Sequence, residues 1–132
     1  MKLLRRLLKM QAILWAAWGL LALVAPRWLV ETLMAQPSVG DAIWLQSIGM
    51  LSLVLALLMV LVSQKVDEVW WWSWAFAAVD IGLGTVCVLH ALLGLPDGAA
   101  SWPWWALGAL NAALGAGLLV GMAEAGREKP FV

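Results

Sequence analysis

Few side chains in this sequence can do chemistry, and one of them lies where charge is expensive. Asp80 sits in an otherwise apolar stretch, with Cys87 seven residues and His90 ten residues further on. On a helix ten residues rise ~15 Å, so Asp80 and His90 cannot meet as an acid–base pair. The single cysteine excludes an intrachain disulfide or dithiol relay, and the single histidine leaves a Cys/His zinc site unfilled. Haem held between two histidines would need two chains. No glycine-rich phosphate loop or nucleophile elbow occurs. A membrane enzyme acting on lipids or quinones is therefore the least expected function, and no metal or cofactor is expected.

The elements that must position Asp80 follow from composition. Of 132 residues, 64% are hydrophobic and 12% charged, against about 25% charged in a soluble domain. The solvent implied is lipid. Eight basic and eight acidic residues cancel, so there is no footprint for nucleic acid. Crossing ~30 Å of hydrocarbon takes roughly 20 apolar residues in a helix. Four runs qualify, at about 7–25, 42–62, 70–94 and 104–122. The expected fold is an all-α membrane protein, a four-transmembrane-helix antiparallel bundle forming a single domain over 1–132. The charged start before the first run has the look of a secretory signal, but the length of the run and Pro26 after Leu23-Val24-Ala25 favour a retained helix. Between the first two spans, Trp28 to Gln36 reads as a short amphipathic helix in the interface, broken at Pro37-Ser38-Val39-Gly40. Asp41 is placed to cap the second span.

Lys2, Arg5, Arg6, Lys9, Lys65, Arg127 and Lys129 fall on one side of this arrangement and only Arg27 on the other. The positive-inside rule then puts both termini in the cytoplasm. Tryptophan prefers the headgroup level. Trp70, Trp71, Trp72 and Trp74 accordingly mark the inner interface, and Trp28, Trp44, Trp102, Trp104 and Trp105 the outer one. Trp15 and Trp18 lie well inside the first span.

Helices in lipid associate through small residues and shared polar contacts. On the third span Ser73, Ala77, Asp80, Gly84, Cys87 and Ala91 share a face, and on the second Ala42, Gln46, Gly49 and Ala56 do so, with Ser52 at the edge. On the fourth, Ala109, Ala113, Gly117 and Gly121 form one ridge, while Gly108, Asn111 and Gly115 lie on another face. Two ridges imply two partners, within the bundle or across a homodimer seam. Gln11, Trp15, Trp18 and Ala22 make a bulky stripe on the first span, able to fill grooves left by glycines or to wall a pocket for a lipophilic molecule.

Asp80 lies near the bilayer midplane, where a carboxylate costs at least ~2.5 kcal/mol and must be protonated, paired or facing water. By depth its candidate partners are Ser52 and Asn111, with Gln46 and His90 nearer the outer surface, together outlining a polar track open outward. Asp80, Asn111, Gln46, Ser52, Trp15, Trp18 and His90 are thus the candidate ligand- or proton-binding residues. Gly84, Gly108, Ala109, Ala113, Gly117 and Gly121 are the candidate packing residues.

Pro26, the amphipathic Leu29 and Leu33, then Gln46, Gly49 and a leucine-rich second span resemble the small DoxX-like four-helix membrane proteins of bacteria, mainly over residues 19 to 62. The resemblance implies a four-helix fold and transfers no site; the expected location is the inner membrane of a bacterium, crossed several times. Small multidrug transporters, also four-helix, use a glutamate in the first span; this chain has Gln11, Trp15 and Trp18 there. The leading expectation is a structural or accessory subunit of a membrane complex or homo-oligomer. The alternative is a transporter or binder of a small lipophilic or cationic ligand through Asp80.

Overall fold

A computed structural model describes residues 1–128, so Lys129 of the basic tail lies outside the described residues. These residues form helices and connecting turns, with no strand among them. Helix α1 spans Lys2–Val24 and α2 Ile43–Gln64. A short helix α3, Val66–Val69, and a tight turn, Trp70–Trp72, lead into α4, Ser73–Leu93, and α5 covers Trp102–Glu128. Four helical stretches, with α3 to α4 counted as one, are long and apolar enough to cross a membrane.

The boundaries differ from the hydropathy reading at the charged ends. α1 starts at Lys2 rather than near Leu7, and α5 runs on to Glu128 rather than ending at Met122. Backbone hydrogen bonding continues through charged residues that hydropathy discounts. In the third span Trp70, Trp71 and Trp72 precede the regular helix: the Lys65 carbonyl accepts from Glu68 N and Val69 N at 2.9 and 3.0 Å, winding the chain through a turn before α4 begins. The segment Trp28–Leu33 is helical but wide-wound, Met34 N donating five residues back to Leu29 O at 2.9 Å. Asp41 Oδ1 accepts the Ile43 N–H at 3.0 Å, meeting one of the free donors at the start of α2.

The long helices run antiparallel in two hairpins, α1 with α2 and α4 with α5, joined chiefly along α1 and α5. Glycine sets the first hairpin. A Cβ on Gly49 would sit 2.8 Å from Gly19 O, and one on Gly19 would sit 2.7 Å from Gly49 O, so the two backbones touch. The second closes at Gly84 and Gly108, where a Cβ on Gly84 would lie 3.3 Å from Gly108 O. Between hairpins, Leu4 packs on Gly121 and Leu7 on Gly117. At the end carrying both described termini, Arg5 Nε donates to Ser63 O at 3.2 Å and Arg5 Nη2 pairs with Asp67 at 2.6 Å, while the Met1 amine meets Glu128 at 2.8 Å. At the opposite end Ala100 N donates to Ala35 O at 3.1 Å, tying the two long connections together.

The core is apolar, built on residues such as Leu4, Leu8, Met59 and Leu118, and Gln11, Ser52, Ser63, Ser73 and Asp80 are buried with it. Large apolar side chains also cover the outside: Ile13, Leu51, Val86 and Leu93 are 60–83% exposed.

Candidate functional site

Asp80 occupies the buried face of α4 with Ser73, Phe76, Ala77, Gly84 and Cys87, at spacings of three and four. The buried face of α1 carries Leu4, Leu8, Gln11 and Ala12. At these registers Gln11 Nε2 donates to both carboxyl oxygens of Asp80, at 2.7 and 2.6 Å, and both residues are fully buried. Gly115 lets α5 close tightly over the acid: a Cβ there would lie 3.1 Å from Ile81 Cγ1 and 3.3 Å from Asp80 Cβ, so a larger residue would push these side chains by a few tenths of an ångström. Gln11 Oε1 has no hydrogen-bond partner, and neither has the buried Ser73 Oγ.

This partner differs from those assigned by depth. Ser52 Oγ donates to Ile48 O at 2.8 Å, Asn111 Nδ2 to Leu107 O at 2.8 Å, and Gln46 Nε2 across the hairpin to Leu23 O at 3.2 Å. None of them bonds to Asp80. The polar track expected to run outward from it is not joined by hydrogen bonds: Ser52 and Asn111 turn back to carbonyls of their own helices, the acceptors within easiest reach, and Gln46 reaches a carbonyl of α1. His90 packs edge-on against Trp104, ring centroids 4.4 Å apart. Gln11 was visible in the sequence as part of the stripe with Trp15, Trp18 and Ala22. What concealed its role was the start of α4: seven residues separate Ser73 from Asp80 and nine separate Lys2 from Gln11, roughly 10 and 14 Å of rise, so the two meet at one depth.

The packing residues divide between neighbours. Gly84 and Gly108 meet each other, and Gly117 and Gly121 face α1. Ala109 and Ala113, expected on the same ridge, are exposed. Trp70 is buried against the neighbouring helix, its ring edge 3.4 Å from where a Cβ on Gly126 would stand. The other indoles of that cluster, Trp71, Trp72 and Trp74, are about half exposed. Trp15 packs on the core cluster.

Trp18 has a different setting. With Leu29, Met34, Leu45, His90 and Trp104 it lines an open cleft of about 600 Å³ at the end away from the termini. Gln36 frames the cleft, donating to Met34 O and Ala100 O at 2.7 and 2.9 Å and accepting from Trp104 Nε1 at 3.2 Å. A second groove, about 350 Å³, lies between α2 and α4. Asp80 lines neither space. Among the described residues no cluster of His, Cys, Asp or Glu could hold a metal ion. Chemically, the Asp80–Gln11 pair is a hydrogen-bonded clamp between hairpins, with no second titratable group bonded to it.

No protein-family model, curated protein or solved structure matches this chain.

Proposed function

We propose that the chain is a small multi-pass membrane protein whose role is architectural, as an accessory or structural subunit of a membrane complex or homo-oligomer. The observation that carries this reading is the fate of its central acid: Asp80 is fully buried and engaged by Gln11 across the two hairpins. A transport carboxylate needs a route to water; a clamp needs enclosure. The exposed apolar surface supports the membrane, because a cover of large aliphatic side chains suits a protein whose solvent is hydrocarbon. The basic residues at the end shared by both described termini support a reading in which that end is cytoplasmic, in a bacterial inner membrane. Trp28 and Leu33, each more than 40% exposed, belong at the opposite interface beside the polar Glu31. The DoxX-like spacing from Pro26 to Gly49 agrees with this placement and adds no activity.

The exposed stretch of α5 through Ala109 and Ala113 is the face left for an assembly partner. A photo-crosslinking residue at Ala113, in native membranes, should capture a second membrane protein or a second copy. Recovery of an uncrosslinked chain that also runs as a monomer after solubilisation would contradict the architectural role.

One observation favours a second reading, a binder of a small lipophilic molecule. The Trp18–His90–Trp104 cleft has the size and aromatic lining of ligand sites. This reading moves the ligand away from Asp80, so Asp80→Asn should leave binding intact while Trp18→Ala abolishes it.

A further inference from the structure

Three of the four helix seams are closed by small residues or by leucine on glycine, and the fourth is not. α2 and α4 make little direct contact beyond their connecting turn. Between them runs a groove lined by Leu55, Leu58, Val62, Ala75, Phe76 and Val79. The cause is in the sequence. α2 spends its small residues, Gly49, Ser52 and Ala56, on its buried face, leaving branched side chains toward α4 that hold the backbones apart. At one end of the groove stand Lys65, exposed and in no ion pair among the described residues, and Trp72, 51% exposed. Arg5, bonded to Ser63 O and Asp67, marks this as the end of the chain termini.

We infer that this groove seats one acyl chain of an anionic phospholipid from the leaflet on the side of the chain termini, with its headgroup on Lys65. The inference rests on the multi-pass membrane reading. The lining is apolar along its length with Lys65 its one charged residue, at the interfacial end, a pattern complementary to an anionic headgroup above an acyl chain; Glu68, exposed in the turn beyond, does not line the groove. From Leu55 to Lys65 the groove follows ten residues of α2, ~15 Å. That length matches roughly a dozen methylenes of an extended chain, and the volume of about 350 Å³ is that of a narrow open slot. A helix ~10 Å across does not enter such a slot. Trp72 stands at the headgroup level, where indoles settle, and a lysine near an anionic surface favours it about fivefold.

The test reconstitutes the full chain in vesicles of equimolar phosphatidylcholine and phosphatidylglycerol. Flotation first checks insertion, and native mass spectrometry after gentle extraction then counts retained lipid. The wild type should keep one phosphatidylglycerol in preference to phosphatidylcholine. Lys65→Ala should lower that preference about fivefold while lipid is still retained, and Ala75→Leu, which fills the slot from an exposed position, should lose both lipids. Equal retention of the two headgroups, an unchanged preference in Lys65→Ala, or a second copy recovered in place of lipid would each overturn the lipid site alone. A chain that fails to float with the vesicles would overturn the membrane reading along with it.

Discussion

At Asp80 hydrogen-bond stoichiometry decides what a substitution does. Asp80→Leu leaves the Gln11 amide buried with neither donor nor acceptor matched, a loss of about 1–3 kcal/mol. Asp80→Asn keeps an oxygen for Gln11 Nε2 and adds an N–H for the unpartnered Gln11 Oε1, so its thermal unfolding in detergent should match or exceed the wild type. If the two variants proved equally destabilised, the clamp would need more than hydrogen bonding. Ser73 gives the reverse case. Its buried hydroxyl has no partner, and Ser73→Ala should therefore be neutral or stabilising by up to about 1 kcal/mol in the same melt. A large loss would mean that the hydroxyl is engaged.

At the scale of elements, close approach of backbones separates glycines that look alike in sequence. Gly49 and Gly82 both lie mid-helix, yet a Cβ on Gly49 meets Gly19 O at 2.8 Å and Ala22 Cβ at 2.9 Å, whereas nothing lies within 4 Å of one on Gly82. Gly49→Ala should cost about 1–3 kcal/mol through forced separation of α1 and α2, and Gly82→Ala should cost nothing measurable by the same unfolding assay. The long helices were legible from apolar runs bounded by Pro26, Lys65 and Pro96, because length and hydropathy alone decide what can span. Gly49 was legible as a packing residue by its spacing with Gln46 and Ala56. Its partner Gly19 was not, since a lone glycine among Trp18, Leu20 and Leu21 carries no periodic signal. Asp80 stood out because an acid in an apolar run has one reading. Its partner did not, because choosing among Gln11, Ser52 and Asn111 requires the helix starts and rotations that the turn at Val66–Trp72 sets. Gln36, which joins the two long connections, gave no signal before the fold brought Ala100 and Trp104 to it.

Across the whole molecule, the exposed apolar surface and the one-sided basic residues combine into a single arrangement with both described termini and the Lys65 turn at one end. The Arg5–Asp67 pair at that end is partly exposed, so Arg5→Ala should lower stability by less than about 1 kcal/mol and the difference should shrink at high salt. The orientation itself is open to direct measurement by cysteine accessibility in intact, right-side-out vesicles, in a Cys87→Ala background. Lys2→Cys and Lys65→Cys should react with a membrane-impermeant maleimide only after permeabilisation, and Ser38→Cys and Gly98→Cys should react before it. Labelling of all four positions without permeabilisation, or of Ser38→Cys and Lys65→Cys from the same side, would contradict the four-span membrane architecture.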